Sequence, residues 1–191
     1  LMRAALSSRG YLKADAIMQL DQVLRDLSIA AGKDNPARDP LQYTFTVFGT
    51  PAADATWAWR VEGHHVSLNF TLTDHEMIGT TPAFFGASPA EVRTGGHAGF
   101  RPLAAEDELG RELLGMLDEG QRKKAVLAIE VPGDITAVPG RGADELAESG
   151  GLPAGELTAP QRAVLDRLIE EFVGNMEDDV AAPHLDRVRA D

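Results

Sequence analysis

Apolar and polar residues alternate with a period of two on both sides of Gly63, and the phase switches there. Before it the large apolar side chains fall at odd positions: Trp57, Trp59 and Val61. After it they fall at even positions, Val66, Leu68, Phe70 and Leu72, with His64 in phase. Successive side chains of a strand face opposite ways, so one continuous strand cannot keep an apolar face through the switch. The pattern predicts a hairpin with Glu62-Gly63 as a two-residue turn, pairing Val61 with His64, Trp59 with Val66 and Trp57 with Leu68. Glycine suits the second turn position and glutamate is poor at the first, so a β-bulge at Gly63 is the alternative. In either case the two adjacent histidines point to opposite sides. His64 goes with the tryptophans, His65 with Arg60, Ser67 and Asn69.

The remaining elements follow from the same kind of reading. Tyr11 to Leu27 is predicted as an amphipathic helix whose apolar stripe is Ala16, Leu20, Val23, Leu24 and Leu27, stopped by Gly32. Strands are expected over Gln42 to Phe48 and Met77 to Thr81, which with the hairpin make a four-stranded antiparallel meander. Pro82 to Pro102 has no clear period and is rich in glycine. Phe84, Phe85 and Phe100 argue that it is ordered and packs over the sheet. Helices are predicted over Leu103 to Leu117, from Asp118 to about Ala128, from Thr158 to Asn175, and over Glu177 to Arg189 with an interruption at Pro183. Asp118 to Gln121 and Thr158 to Gln161 have the same capping-box form, read as reused capping chemistry. The stretch 132–155 is expected to be an irregular surface segment. Strands clustered at about 42–81 with helices from both ends of the chain give an α+β fold, an antiparallel sheet packed against helices.

Composition narrows the function classes. A formal charge of −12 over 191 residues argues against nucleic acid, which is held by clustered Lys and Arg. The absence of cysteine removes disulfides, thiolate ligands and a cysteine nucleophile. No apolar run approaches the ~20 residues of a membrane span. The expectation is one domain over 1–191, soluble, with the compartment open: cytoplasmic, or exported with a signal already removed. Several motifs fail on chemistry. His75-Glu76 begins a zinc-protease pattern but lacks its second histidine. In Gly86-Ala87-Ser88-Pro89, the residue after the serine has no N–H to give an oxyanion. Gly140-Arg141-Gly142 lacks the third glycine of a dinucleotide fingerprint.

What survives is a set of histidines, carboxylates and an arginine. His65, His97 and Glu106, with His64, are the candidate metal ligands. His65, Glu62 and Arg101 are the candidate catalytic residues, with Arg101 orienting an anionic group. Without cysteine such a site would take a divalent metal (Zn, Fe, Mn, Ni or Cu) through imidazole and carboxylate. Each residue also has a plainer reading. His64 in phase with Val66 and Leu68 reads as a hydrogen-bonded core histidine, and His65 as part of a solvated face. The tryptophans read as core, and Glu106-Asp107-Glu108 as a complement to a helix dipole. His97, flanked by Gly95, Gly96 and Gly99, has the least packing reason to be there.

The runs Arg38-Asp39-Pro40, Phe45 to Pro51, Trp57-Ala-Trp-Arg-Val-Glu-Gly-His-His, Ser67-Leu-Asn-Phe-Thr, Phe84-Phe85-Gly86 and Leu103-Ala-Ala-Glu-Asp-Glu-Leu resemble the domain of unknown function 3500 family of bacteria and fungi. The resemblance covers essentially the whole chain and implies no established activity. Members of that family continue into a segment rich in aromatics, Asn and His. The resemblance therefore implies either a short form or fragment, or a site that a C-terminal continuation completes. Two function classes stay open: a metal-dependent enzyme acting on a small molecule, and a non-catalytic binding or assembly module with an aromatic contact surface, a homo-oligomer being one form of it.

Overall fold

The computed structural model describes residues 1–130 and 150–190. Most of the expectation for 132–155 lies outside them. The phase switch does mark a hairpin. Strand β2 (Trp57–Glu62) runs antiparallel to β3 (Val66–Thr73), but Trp59 faces Phe70, Val61 faces Leu68 and Glu62 faces Ser67. The partners on β3 therefore lie four positions beyond those predicted. Four is even, so the apolar faces survive, and Trp59 and Val66 stay on the buried side. The turn is not Glu62-Gly63 but His64-His65, closed by the Gly63 N–H donating to the Val66 carbonyl at 2.8 Å. Gly63 is glycine for another reason: a Cβ there would lie 2.5 Å from the Tyr43 ring. The displaced register lifts both histidines out of the strands, so neither belongs to the tryptophan face or to the Arg60 face.

Among the described residues the sheet has five strands. β1 (Thr44–Phe48) pairs with β2, while β4 (Glu76–Gly79) and β5 (Ala83–Phe85) share the other side of β3. β5 is drawn from the glycine-rich stretch and adds a strand to the expected meander. Alternation divides its aromatics: Phe85 packs against the core, and Phe84 is 41% exposed.

Helix α1 is Met2–Ala5, and α2 runs Ser8–Ala30, capped by the Ser7 hydroxyl and ended by Gly32 at φ 73°. The buried face of α2 is Gly10, Lys13, Ala14, Ile17, Leu20, Asp21 and Ser28, not the predicted stripe. Of that stripe only Leu20 is buried, and Leu27 is 52% exposed. Counting apolar residues failed because Lys13 and Asp21 occupy the core-facing side with partners of their own. Ala14 and Ile17 pack on Trp59, Val61, Val66, Leu68 and Phe70, and burying a side chain of this size is worth about 1.5–3 kcal/mol.

The chain forms two compact units, Leu1–Glu106 with Ile169–Asp191, and Asp107–Leu168. The helices α3 (Ala104–Met116), α4 (Glu119–Ala125), α5 (Ala159–Val173) and α6 (Asp178–Ala190, with Pro183 inside) complete the fold. In the second unit the repeated box does more than cap. Asp118 and Gln121 close the full box on α4. The Gln121 and Gln161 side-chain amides donate to each other at 3.0 and 2.8 Å, so two helix starts share one reciprocal pair. With six helices among the described residues and an antiparallel sheet, the protein is α+β. Among the described residues, no helix is long and apolar enough to cross a membrane.

Candidate functional site

Between Gly32 and β1 the chain makes two 3-10 turns, Pro36–Arg38 and Pro40–Gln42. Each is capped by the side chain just before its proline: Asn35 accepts from the Ala37 N–H and Asp39 from the Leu41 N–H. Proline at the first turn position is pre-set for this geometry and has no N–H to lose. The two turns return the chain to the end of α2. Asp39 pairs with Arg25, Arg38 donates from Nη1 to the Ser28 hydroxyl, and Tyr43 points at Asp21. The Leu41 backbone N–H, with Arg25, holds the Asp39 carboxyl below the usual aspartate range.

Asp21 is fully buried, and its two oxygens have two donors: Tyr43 OH at 2.7 Å and His65 Nδ1 at 2.5 Å. A carboxylate accepts, so His65 Nδ1 carries a proton and donates it, and Nε2 is the ring's other nitrogen. Three elements fix that ring. Its backbone N–H reaches the Tyr43 hydroxyl at 3.4 Å, and its carbonyl accepts the Gly86 N–H at 2.7 Å. Gly86 must be small, because a Cβ there would sit 3.1 Å from the His65 ring. The His65 side chain keeps 16% of its surface open. Burial, with the Asp21 carboxylate beside it, pushes the Tyr43 phenol well above its ordinary range, so the phenol stays a donor.

His64 lies edge-on to His65, ring centroids 4.3 Å apart, and is half-buried. Burial lowers its pKa, and the charges of His65 and Arg38 push the same way while Asp21 opposes them. It lines an open depression of about 600 Å³ with Gln42, Thr44, Glu62 and Ser67.

Residues 1–191, the full chain, match the family described as protein of unknown function (DUF3500). The chain belongs to the DUF3500 family. No curated protein and no solved structure matches it.

The residues singled out in this DUF3500 chain do not converge. His64 and His65 adjoin, with the plain roles inverted: His65 is the hydrogen-bonded ring, and no ring bond holds His64 among the described residues. Glu62 shares the depression with His64 and is paired with Arg60 at 2.7 Å. Glu106 is committed to Lys13 at 2.5 Å. His97 is exposed, tilted against Phe100, and borders a separate groove with Gln19, Gln22 and Asp26. Arg101 is half-buried at the end of the glycine-rich loop. Among the described residues no three His, Asp or Glu side chains are grouped to hold a metal ion. Reading from sequence missed Asp21, Tyr43 and Arg38. The available signal was on α2: Gly10, Ala14, Ile17 and Asp21 follow helical spacing, and a charge on a small-residue stripe asks for a buried partner.

Proposed function

We propose that this DUF3500 chain is an enzyme acting on a small molecule by proton transfer at His65 Nε2, with Asp21 holding the ring. One observation carries the reading: a fully buried carboxylate bonded to Nδ1 of a partly open imidazole. Burying Asp21 is costly unless its bonds are made. Here those bonds engage Nδ1 and leave Nε2 as the nitrogen that general acid–base catalysis would use. Tyr43 positions Asp21 and is not itself required to exchange protons. The same Nε2 is the atom a divalent metal would take from a histidine oriented by a carboxylate, so metal titration belongs in the test.

The test is a panel of small-molecule hydrolysis and isomerisation substrates on wild type and His65→Asn, with and without Zn, Mn, Fe, Ni or Cu. Turnover should fall about 10²- to 10⁴-fold in the variant while the fold is kept. Turnover that survives His65→Asn would refute the reading. The assembly module has one observation in its favour. On β1, which pairs only with β2 among the described residues, Phe45, Val47 and Phe48 are all about half exposed. Sedimentation showing a monomer would remove that alternative.

A further inference from the structure

Helix α6 has two arginines in its last turn, and the fold uses them differently. Arg189 reaches Glu170, whereas Arg187 has no partner among the described residues. Arg187 lines instead an open groove of about 400 Å³ between β4 and α6, both parts of the first compact unit. A volume of that order suits a small molecule. On the facing wall, just past the end of β4, Thr80 is only 7% exposed, yet its hydroxyl has no hydrogen-bond partner among the described residues. Folding does not normally leave such a group unpaired. His184, three residues before Arg187 and half-buried, lines the same groove with no bond to its ring among the described residues. Acceptors border it too. Asp179, also without a partner there, lies eight residues before Arg187, ~12 Å along the helix axis. Pro183 stands between them inside α6 and has no N–H, so the Asp179 carbonyl lacks its helical donor. The helix dipole accounts for an acid in the first turn and a base in the last. It does not account for an unpaired hydroxyl and imidazole facing the same space.

We propose that this groove binds a small zwitterion, a molecule with a carboxylate and an ammonium group separated by a short carbon chain. Arg187, His184 and Thr80 take the carboxylate, and a planar guanidinium matches its two oxygens. Asp179 and its freed carbonyl take the ammonium, while Met77, Ile78 and Val180 give the chain an apolar wall. The spacing of Asp179 and Arg187 disfavours an α-amino acid, whose two charged groups share one carbon. The site is independent of the reading of His65, which lines no part of this groove.

Titration of the full chain with δ-aminovalerate, valerate and pentylamine, and with glycine as the short control, tests this by calorimetry and through the imidazole nitrogen signals of His184. δ-Aminovalerate should bind saturably and shift His184, about tenfold or more tighter than the other three, because only it makes charge-assisted bonds at both ends. Arg187→Gln should weaken it about ten- to a hundredfold, the loss of one or two such bonds. Thr80→Val keeps the shape, removes the hydroxyl and should weaken it about two- to tenfold. Asp179→Asn gives the sharpest reading, because its two effects have opposite sign: δ-aminovalerate binds more weakly and valerate more tightly. Arg187 and Asp179 are exposed, so these two variants test the site even if Thr80→Val does not fold. A flat titration, valerate or glycine bound as tightly as δ-aminovalerate, or affinity unchanged in Arg187→Gln would overturn the proposal. So would shifts of the same sign for both probes in Asp179→Asn. His65→Asn should leave the affinity within about twofold, as expected for a residue outside the groove, and a larger loss would overturn the placement of the zwitterion between β4 and α6.

Discussion

Lys13 and Asp21 lie about two turns apart on α2, both are buried, and their surroundings have opposite logic. Lys13 Nζ donates to Glu106 at 2.5 Å and to Glu171 at 2.7 Å, and the second Glu171 oxygen takes Arg9 at 2.8 Å. Two cations thus meet two anions, drawn from α2, α3 and α5. Each charge there is answered by another charge, although the second Glu106 oxygen is buried without a partner. Asp21 is answered instead by a phenol and an imidazole. The phenol is a dead end, but the imidazole has a second nitrogen on a side chain that is 16% exposed. A buried charge satisfied by opposite charges ties helices together, whereas one satisfied by a two-ended side chain relays its orientation to the surface. By that contrast Glu106, a candidate ligand in sequence, is paired within a helix-linking ion cluster, and Asp21, hidden in a helix, supports the proposed site.

The largest effect expected from this contrast is at Lys13. Lys13→Ala removes the cation from Glu106 and Glu171, whose side chains are 11% and 12% exposed, and leaves only Glu171 with a partner, Arg9, which should cost about 3–5 kcal/mol of unfolding free energy. The imidazole nitrogen signals of His65 in the folded fraction should stay as in wild type. A loss under about 1 kcal/mol in denaturant melts would mean that the charges are solvated rather than buried. Asp21→Asn should do the reverse. It keeps the shape and loses one acceptor, so the expected cost is smaller, about 1–3 kcal/mol. The Nδ1 signal of His65 should change, because an amide can turn its NH₂ toward the ring and move the proton to Nε2. An unaltered tautomer would break the comparison.

The sequence made the fold legible to the extent that its cues were local. The α+β class, the hairpin and the helices at both ends follow from apolar phase and turn chemistry, which the chain displays openly. The register was not legible, because a displacement of an even number of residues keeps every apolar side chain on its face. The Tyr43 ring lying on Gly63 belongs to the observed register, and that contact joins residues 20 apart. The site was missed for a related reason. Lys13 and Asp21 look like solvent-facing charges until Glu106, Glu171, Tyr43 and His65 are brought to them from other elements. His65 was picked out by its neighbourhood of tryptophans and glycine, yet what orients it is 44 positions away on α2.

Glycine substitutions sharpen the contrast at a smaller scale. In Gly63→Ala the new methyl overlaps the Tyr43 ring, which must tilt away from Asp21. A cost of about 1–2 kcal/mol is expected, in the lower range for overpacking because the neighbour is a movable side chain. In Gly10→Ala the methyl would meet the Asn175 backbone carbonyl, 2.0 Å from the ideal Cβ, so that destabilisation should be greater. Only the first should disturb the His65 nitrogen signals. Equal disturbance by both would mean that Tyr43 does not couple Gly63 to Asp21.

The smallest effect expected is the pH dependence contributed by His64, and its sign is fixed by the direction of its shift. Burial, His65 and Arg38 hold its folded pKa below the ordinary 6.5, with Asp21 only partly opposing them. The unfolded chain therefore binds this proton more readily than the folded one between the lowered value and 6.5. Stability must fall as pH drops through that window and level off below it, and His64 contributes nothing to the slope at higher pH, where both states are neutral. In a buffer free of phosphate and carboxylate, the melting temperature of His64→Gln should decline less steeply below pH 6.5 than that of wild type. A wild-type slope that His64→Gln leaves unchanged would place the acid sensitivity elsewhere, among carboxylates such as Asp39, whose lowered pKa makes its own stabilisation fade at more acidic pH.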